Sequence, residues 1–170
     1  QEIRIKRGLS YSVGSRLDAR RAGGAFSVGA QTKNASAPEV VSLMLDEIAR
    51  VGSAPAEAGE IAARKLTLIG NFSRSLETTE DLAGRIAALE ANGVDLAELG
   101  RTIPAMEAVS ATDVQAFAKA HWPQGALRIV VAGDAPQFVE ALRKAYPDLL
   151  VVPRADVDLD APGLVKAAPK

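Results

Sequence analysis

The chain has 170 residues, 48% hydrophobic and 24% charged, a globular balance for one ordinary domain, and with only 4% aromatics its core falls to Ala, Val, Ile and Leu. Twenty Lys and Arg against twenty-one Asp and Glu give a net charge of −1, which argues against an electrostatic nucleic-acid binder. With no cysteine and one histidine, His121, disulfides and thiol chemistry are excluded, a Ser-His-Asp arrangement could use only His121, and a His-x-x-Glu-His zinc motif cannot be supplied by these residues.

In chain order, residues 1–7 read as the last turns of a helix, ended by Gly8 where a left-handed residue is wanted. No cap precedes them, which predicts that the polypeptide continues upstream. Residues 1–21 hold six basic side chains (Arg4, Lys6, Arg7, Arg16, Arg20, Arg21) and two acidic ones (Glu2, Asp18). Such an excess suits an anionic partner or a peptide carboxylate, and equally a solvated edge. Tyr11, Val13, Ser15 and Leu17 alternate as in a half-buried strand. Asp18 to Gly24 is turn chemistry, and Phe26, Val28 and Ala30 alternate again through Lys33, which predicts a long antiparallel hairpin.

Helices follow. Ser36 is a candidate cap with Pro38 in the first turn and Glu39 three residues on, ahead of a stripe Val41, Met44, Leu45, Ile48 and a stop at Gly52. A second helix starts near Pro55 and carries Ile61, Leu68, Ile69, Phe72 and Leu76. A third starts at Thr78 or Thr79, turns Leu82, Ile86 and Leu89 inward, and stops at Asn92-Gly93. Leu96, Leu99 and Ile103 suggest a short fourth, interrupted at Pro104. Ser110 to Asp113 is a capping-box start for a fifth, with Val114, Phe117, Ala118 and His121 on one face. Leu127–Ala132 is an apolar run expected as a buried strand. Asp134 precedes a helix with Phe138, Val139, Leu142 and Tyr146 inward, and Leu149–Val152 is a final short strand. The fold class is α+β, a mostly antiparallel sheet with helices on one face, over residues 1–152, with a flexible tail over 153–170. No apolar run approaches the ~20 residues of a membrane span, and no signal peptide is visible.

The chemistry concentrates in the opening residues. Arg4 lies one turn before the helix stop and Tyr11 opens the next strand, so a guanidinium and a phenol can converge over one groove. Arg offers a rigid fork of donors, and a Tyr hydroxyl donates to a carbonyl or to the oxyanion formed from it. An exposed hairpin edge can also take an extended peptide by strand addition. The plainer alternative stays open: the helix dipole favours Arg4 where it is, and Tyr11 is an ordinary strand aromatic.

The run RIKRGLSYSVGS resembles the signature that opens the C-terminal domain of pitrilysin-type (insulinase-like) zinc metallopeptidases, the group of mitochondrial processing peptidase and the bacterial processing proteases. Members typically read Leu/Gln-x-x-Arg-x-x-x-Gly-Leu-Ala-Tyr. Here Arg4, Arg7, Gly8, Leu9 and Tyr11 keep that spacing, with Ser10 for the common alanine. Gly24 to Thr32 resembles the family's second hairpin strand. Pro55, Glu60, Lys65, Leu68, Gly70 and Phe72 resemble one of its helices. Val109–Val114 resembles a family helix start, and Ile129–Asp134 a family strand. The likeness runs through residue 147.

The resemblance implies a peptidase built of two halves closing like a clam shell. One half binds zinc and supplies a glutamate base, and the other brings an Arg/Tyr pair to the substrate backbone. Arg4 and Tyr11 match that pair: Tyr11 as a catalytic donor to the scissile carbonyl and its oxyanion, Arg4 as a substrate-binding group that also orients Tyr11. This chain then holds no cofactor, zinc is expected in a partner half, the substrate is an extended peptide, and these residues alone are inactive. The alternative is a non-catalytic scaffold or peptide-binding subunit of the same family. Family domains begin with a strand and helix before the point matching Gln1, so the sheet is expected to be incomplete, with an open edge that would invite a homodimer. The bacterial periplasm is the favoured compartment. His121, beside Trp122, reads as a core or interface histidine rather than a ligand. Lys65 receives no role. Asp156, Asp158 and Asp160 read as a solvated acidic run.

Overall fold

The computed structural model describes Ile3 and residues 7–166. The expected turn at Gly8 is present: Gly8 has φ 61°, and the Leu9 N–H donates to the Ile3 carbonyl at 2.9 Å. A left-handed residue there reverses the chain without a Cβ clash. The helix expected before it, and Arg4 with it, lies outside the described residues apart from Ile3.

The hairpin forms as expected, from β1 (Ser10–Arg20) and β2 (Gly23–Thr32), paired antiparallel. Pairing runs closer to the turn than the turn-rich sequence predicts, leaving only Arg21 and Ala22 unpaired at the tip. β2 turns Phe26, Val28 and Ala30 half-buried toward the helices. β1 departs from expectation. Val13 is 39% and Leu17 66% exposed, because β1 is the outer strand and the helices pack against β2.

Among the described residues six helices follow: α1 (Ala37–Ser53), α2 (Ala58–Arg74), α3 (Thr79–Asn92), α4 (Glu98–Ala108), α5 (Ala111–His121) and α6 (Val139–Ala145). This is the expected α+β class. Ser36 precedes α1, but its hydroxyl makes no cap bond. A 3-10 turn over Asn34–Ser36 already holds Ser36 in a helical conformation, whereas a capping residue is extended. Gly52 falls inside α1 rather than ending it. A Cβ on Gly52 would lie 3.4 Å from the Lys119 backbone nitrogen, so its smallness serves the close crossing of α1 and α5.

α3 follows its signals closely. Thr78 Oγ1 accepts from the Asp81 N–H at 3.0 Å, and Gly93 at φ 68° ends the helix, with the Val94 N–H on the Leu89 carbonyl at 2.9 Å. α4 runs through Pro104 instead of breaking there. Its neighbour α2 holds it: Lys65 Nζ donates to the Glu107 carbonyl at 2.7 Å, at a helix end where carbonyls lack partners. That contact gives Lys65 a structural role. In α2 Phe72 is buried beneath the Arg85 guanidinium, 5.5 Å from the ring centroid, but Leu68 is 53% exposed rather than inward.

α5 opens with the complete capping box. Asp113 N–H donates to Ser110 Oγ at 3.1 Å, and Ser110 N–H donates back to Asp113 Oδ2 at 2.8 Å. The Ser110 hydroxyl, chiefly, and then its backbone N–H hold the Asp113 carboxyl below its ordinary value. A lowered carboxyl pKa in the folded state contributes stability above the unfolded-state pKa and loses it as pH falls through the folded value. Asp113→Asn should therefore lower the thermal midpoint at neutral pH, and the gap to the native chain should close in strongly acid solution. A midpoint difference that stays constant with pH would contradict this.

The core gathers where α1 meets α6. Ala37, Phe138 and Leu142 are buried there, with Val41, Val131, Ala135, Tyr146 and Leu149 packed around them. Gly133 sits at its edge, where a Cβ would come 2.6 Å from Asn34 Oδ1 and 3.2 Å from the Phe138 ring. Asn34 Oδ1 accepts the Asp134 N–H at 3.3 Å. Gly133→Ala should cost about 1–3 kcal/mol by overpacking, read as a lowered denaturant midpoint.

Two expected strands join no sheet: residues 127–132 and 149–152 carry no ladder among the described residues, and Val130 is 91% and Leu150 80% exposed. A strand exists only against a partner edge, and no described strand lies within pairing reach of either run. Residues 153–166 close on themselves through a bridge between Val157 and Val165.

Candidate substrate-contacting site

Ser10 and Thr32 are paired, and so are Ser12 and Gln31, so Tyr11 is the extra residue of a β-bulge at the start of β1. A bulge bends its strand and re-aims a side chain, and such irregularities recur beside active sites. Two hydroxyls fix this one. Ser10 is buried, and its Oγ lies 2.5 Å from the Gln31 carbonyl and 2.8 Å from the Ser12 carbonyl, donating its one proton between them. Thr32 Oγ1 donates to the Leu9 carbonyl at 2.5 Å. These bonds tie the segment before β1 to the end of β2 on both sides of Tyr11. The Tyr11 side chain itself is 87% exposed.

Arg4 is not among the described residues, so the expected Arg4–Tyr11 pair is represented here by Tyr11. Nearby, Arg7 Nη1 meets Glu39 Oε1 at 3.1 Å, joining the Gly8 turn to the first turn of α1. The charge surplus at this end is thus partly engaged within the chain. Sequence reasoning noted Ser10 only as a departure from the family's alanine. A hydroxyl can clamp a bulge only once the register is known.

The zinc question can be put to the donor set. His121 is exposed and leans on Phe117, with ring centroids 4.4 Å apart. Its neighbour Trp122 stacks on Phe26 at 4.0 Å, so the aromatics fasten α5 to β2, while His121 lies at the surface and not in the core, which of the two expected settings leaves the interface one. Among the described residues no group of three or more His, Cys, Asp or Glu is placed to hold a metal ion. These residues do not fit zinc. In the acidic series, Asp158 Oδ1 accepts the Asp160 N–H at 3.0 Å and the Asp156 carbonyl accepts the Lys166 N–H at 2.8 Å, so the run shapes a turn.

Residues 1–68 match the family described as the Peptidase M16 inactive domain. The fold agrees: the crystal structure of a peptidase M16 inactive domain from Pseudomonas fluorescens superposes with a TM-score of 0.66 at 24% identity, over 72% of this chain and 29% of that one. The opening 68 residues are thus similar to an M16 inactive domain, and the likeness in fold extends over 72% of the chain. Over 122 residues it is 33% identical to zinc proteases of Mycobacterium tuberculosis and Mycobacterium bovis, themselves uncharacterized. The match takes in 70% of this chain, which spans only 27% of the length of each of those relatives. No described helix is long and apolar enough to cross a membrane.

Proposed function

We propose that this chain is the substrate-holding, transition-state-stabilising wall of a two-half zinc endopeptidase, facing a zinc-bearing half on the same or another polypeptide. The observation that carries the reading is the clamped bulge that presents Tyr11 to solvent at the second position of an outer strand. An extended peptide bound along that strand edge would have its carbonyls beside the phenol. As water adds to the scissile carbonyl, its oxygen gains charge, and a hydroxyl donor held at that point binds the oxyanion more tightly than the starting amide. A clamp from Ser10 and Thr32 keeps the donor from having to be ordered during the reaction. Arg4, matched by sequence spacing, takes the substrate's backbone carbonyls with its fork of donors. Zinc in the other half would supply the activated water.

The test pairs this chain with a zinc-bearing half and follows cleavage of an extended fluorogenic peptide. Turnover by the pair, with none from this chain alone, is expected. A pair that assembles and binds the peptide without cleaving it would instead make this chain a peptide-binding scaffold subunit.

A further inference from the structure

Among the described residues β1 is paired on one edge only, to β2, which leaves the outer edge of an eleven-residue strand open. Its two faces differ in chemistry. On the face shared with the half-buried side of β2, Leu17 stands 66% exposed opposite Phe26, whose ring stacks on Trp122. The other face carries Arg16, Asp18 and Arg20. Asp18 is engaged by Arg16, Nε to Oδ1 at 3.0 Å. Arg20, and Arg21 beside it at the tip, make no hydrogen bond or ion pair with a described residue. Arg20 also lines a hollow of 440 Å³, whose other walls are Asp18 and the small residues 22–25. The positive charge of this strand is therefore answered at Arg16 and unanswered at the tip.

We infer that the outer edge of β1 selects extended peptides carrying an apolar side chain and a carboxylate three residues apart, the first against Leu17 and the second at Arg20. The inference rests on the reading of β1 as the peptide-holding edge and names the sequence that edge prefers. A peptide added as a strand lies about 4.8 Å from β1 and sends successive side chains to opposite faces. Leu17 and Arg20 are three residues apart in β1 and so lie on opposite faces, and the peptide residues across from them do likewise. Side chains directly opposite across a strand pair interact, an apolar pair by burying surface and an unlike-charge pair by attraction. The alanines and glycines of the hollow leave room for a carboxylate beside Arg20, and Arg16 offsets the charge of Asp18. Leu17 lies six residues along β1 from Tyr11, about 20 Å in an extended strand, so the preferred pair falls well away from the bond that Tyr11 would serve.

Fluorescence anisotropy of labelled extended peptides mixed with the 170-residue chain at low ionic strength tests this without any cleavage. The peptides carry Leu and Glu three residues apart, in either order, and their counterparts carry Lys for Glu. In at least one order the Glu peptide should bind roughly fivefold more tightly than its Lys counterpart, a modest ratio because exposed ion pairs are individually weak. Arg20→Glu should invert the preference, a gain for the Lys peptide that a misfolded variant cannot give. Leu17→Ser should weaken both peptides alike. Equal binding of the Glu and Lys peptides would overturn the selectivity and leave β1 as a peptide-holding edge, whereas no binding of any peptide would remove both. A Glu preference that survives Arg20→Glu, or that is the same with Leu and Glu two residues apart, would also overturn the inference and make the tip a solvated basic edge drawing any anion. The chemistry assigned to Tyr11 is read from turnover in the two-half assembly, so its failure and the failure of this selectivity are told apart.

Discussion

On the proposed role, Tyr11→Phe should lower kcat of a two-half peptidase by about 10²–10³-fold while moving the thermal midpoint of this chain far less than a core substitution would. The substitution removes one hydroxyl. Tyr11 is 87% exposed and the substitution keeps the ring, so little packing goes with the hydroxyl. The loss should fall on kcat more than on KM, since a donor in the proposed role meets its strongest acceptor only when the carbonyl oxygen becomes an oxyanion. Steady-state kinetics on an extended peptide, with the thermal midpoint recorded on the same preparation, check both halves of the expectation. Unchanged turnover would remove Tyr11 from the chemistry. A fall in turnover that tracks a fall in stability would make its role structural.

Phe138→Ala should destabilise the chain by about 3–5 kcal/mol. Phe138 is 6% exposed and packs with Ala37 and Leu142, where the first turn of α1 meets α6. Removing the ring deletes its contacts with Ala37 and Leu142 and leaves a cavity in the apolar cluster between α1 and α6. A domain's whole stability is about 5–15 kcal/mol, so the variant should unfold at a much lower denaturant concentration. The same ring touches the position of Gly133, so Phe138→Ala and Gly133→Ala together should be less damaging than their sum. A double-mutant cycle in urea measures that coupling.

Much of the fold was legible because the signals are local. Thr78, the Ser110–Asp113 box and the left-handed Gly8 and Gly93 act on backbone groups a few residues away, and each stands where its residue type requires. Ser36 failed as a side-chain cap for an equally local reason, the 3-10 turn already holding it in a helical conformation. The candidate site was legible through a motif: Gly8 and Tyr11 sit at the turn and strand start that the signature implies.

Composition, periodicity and the opening motif by themselves determined the α+β class, the hairpin, the helices and the likeness to M16 inactive domains. They also determined that these residues cannot supply a His-x-x-Glu-His zinc motif, since one histidine cannot make it. Only the tertiary structure decided that Tyr11 rides on a bulge, because the extra residue exists only relative to the register of β2. It also decided that Lys65 closes α4, that Gly52 serves a helix crossing, and that residues 127–132 line an open groove instead of standing in a sheet. Each of these depends on residues distant in the chain, and a pattern of apolar positions says which face wants cover but not which partner provides it.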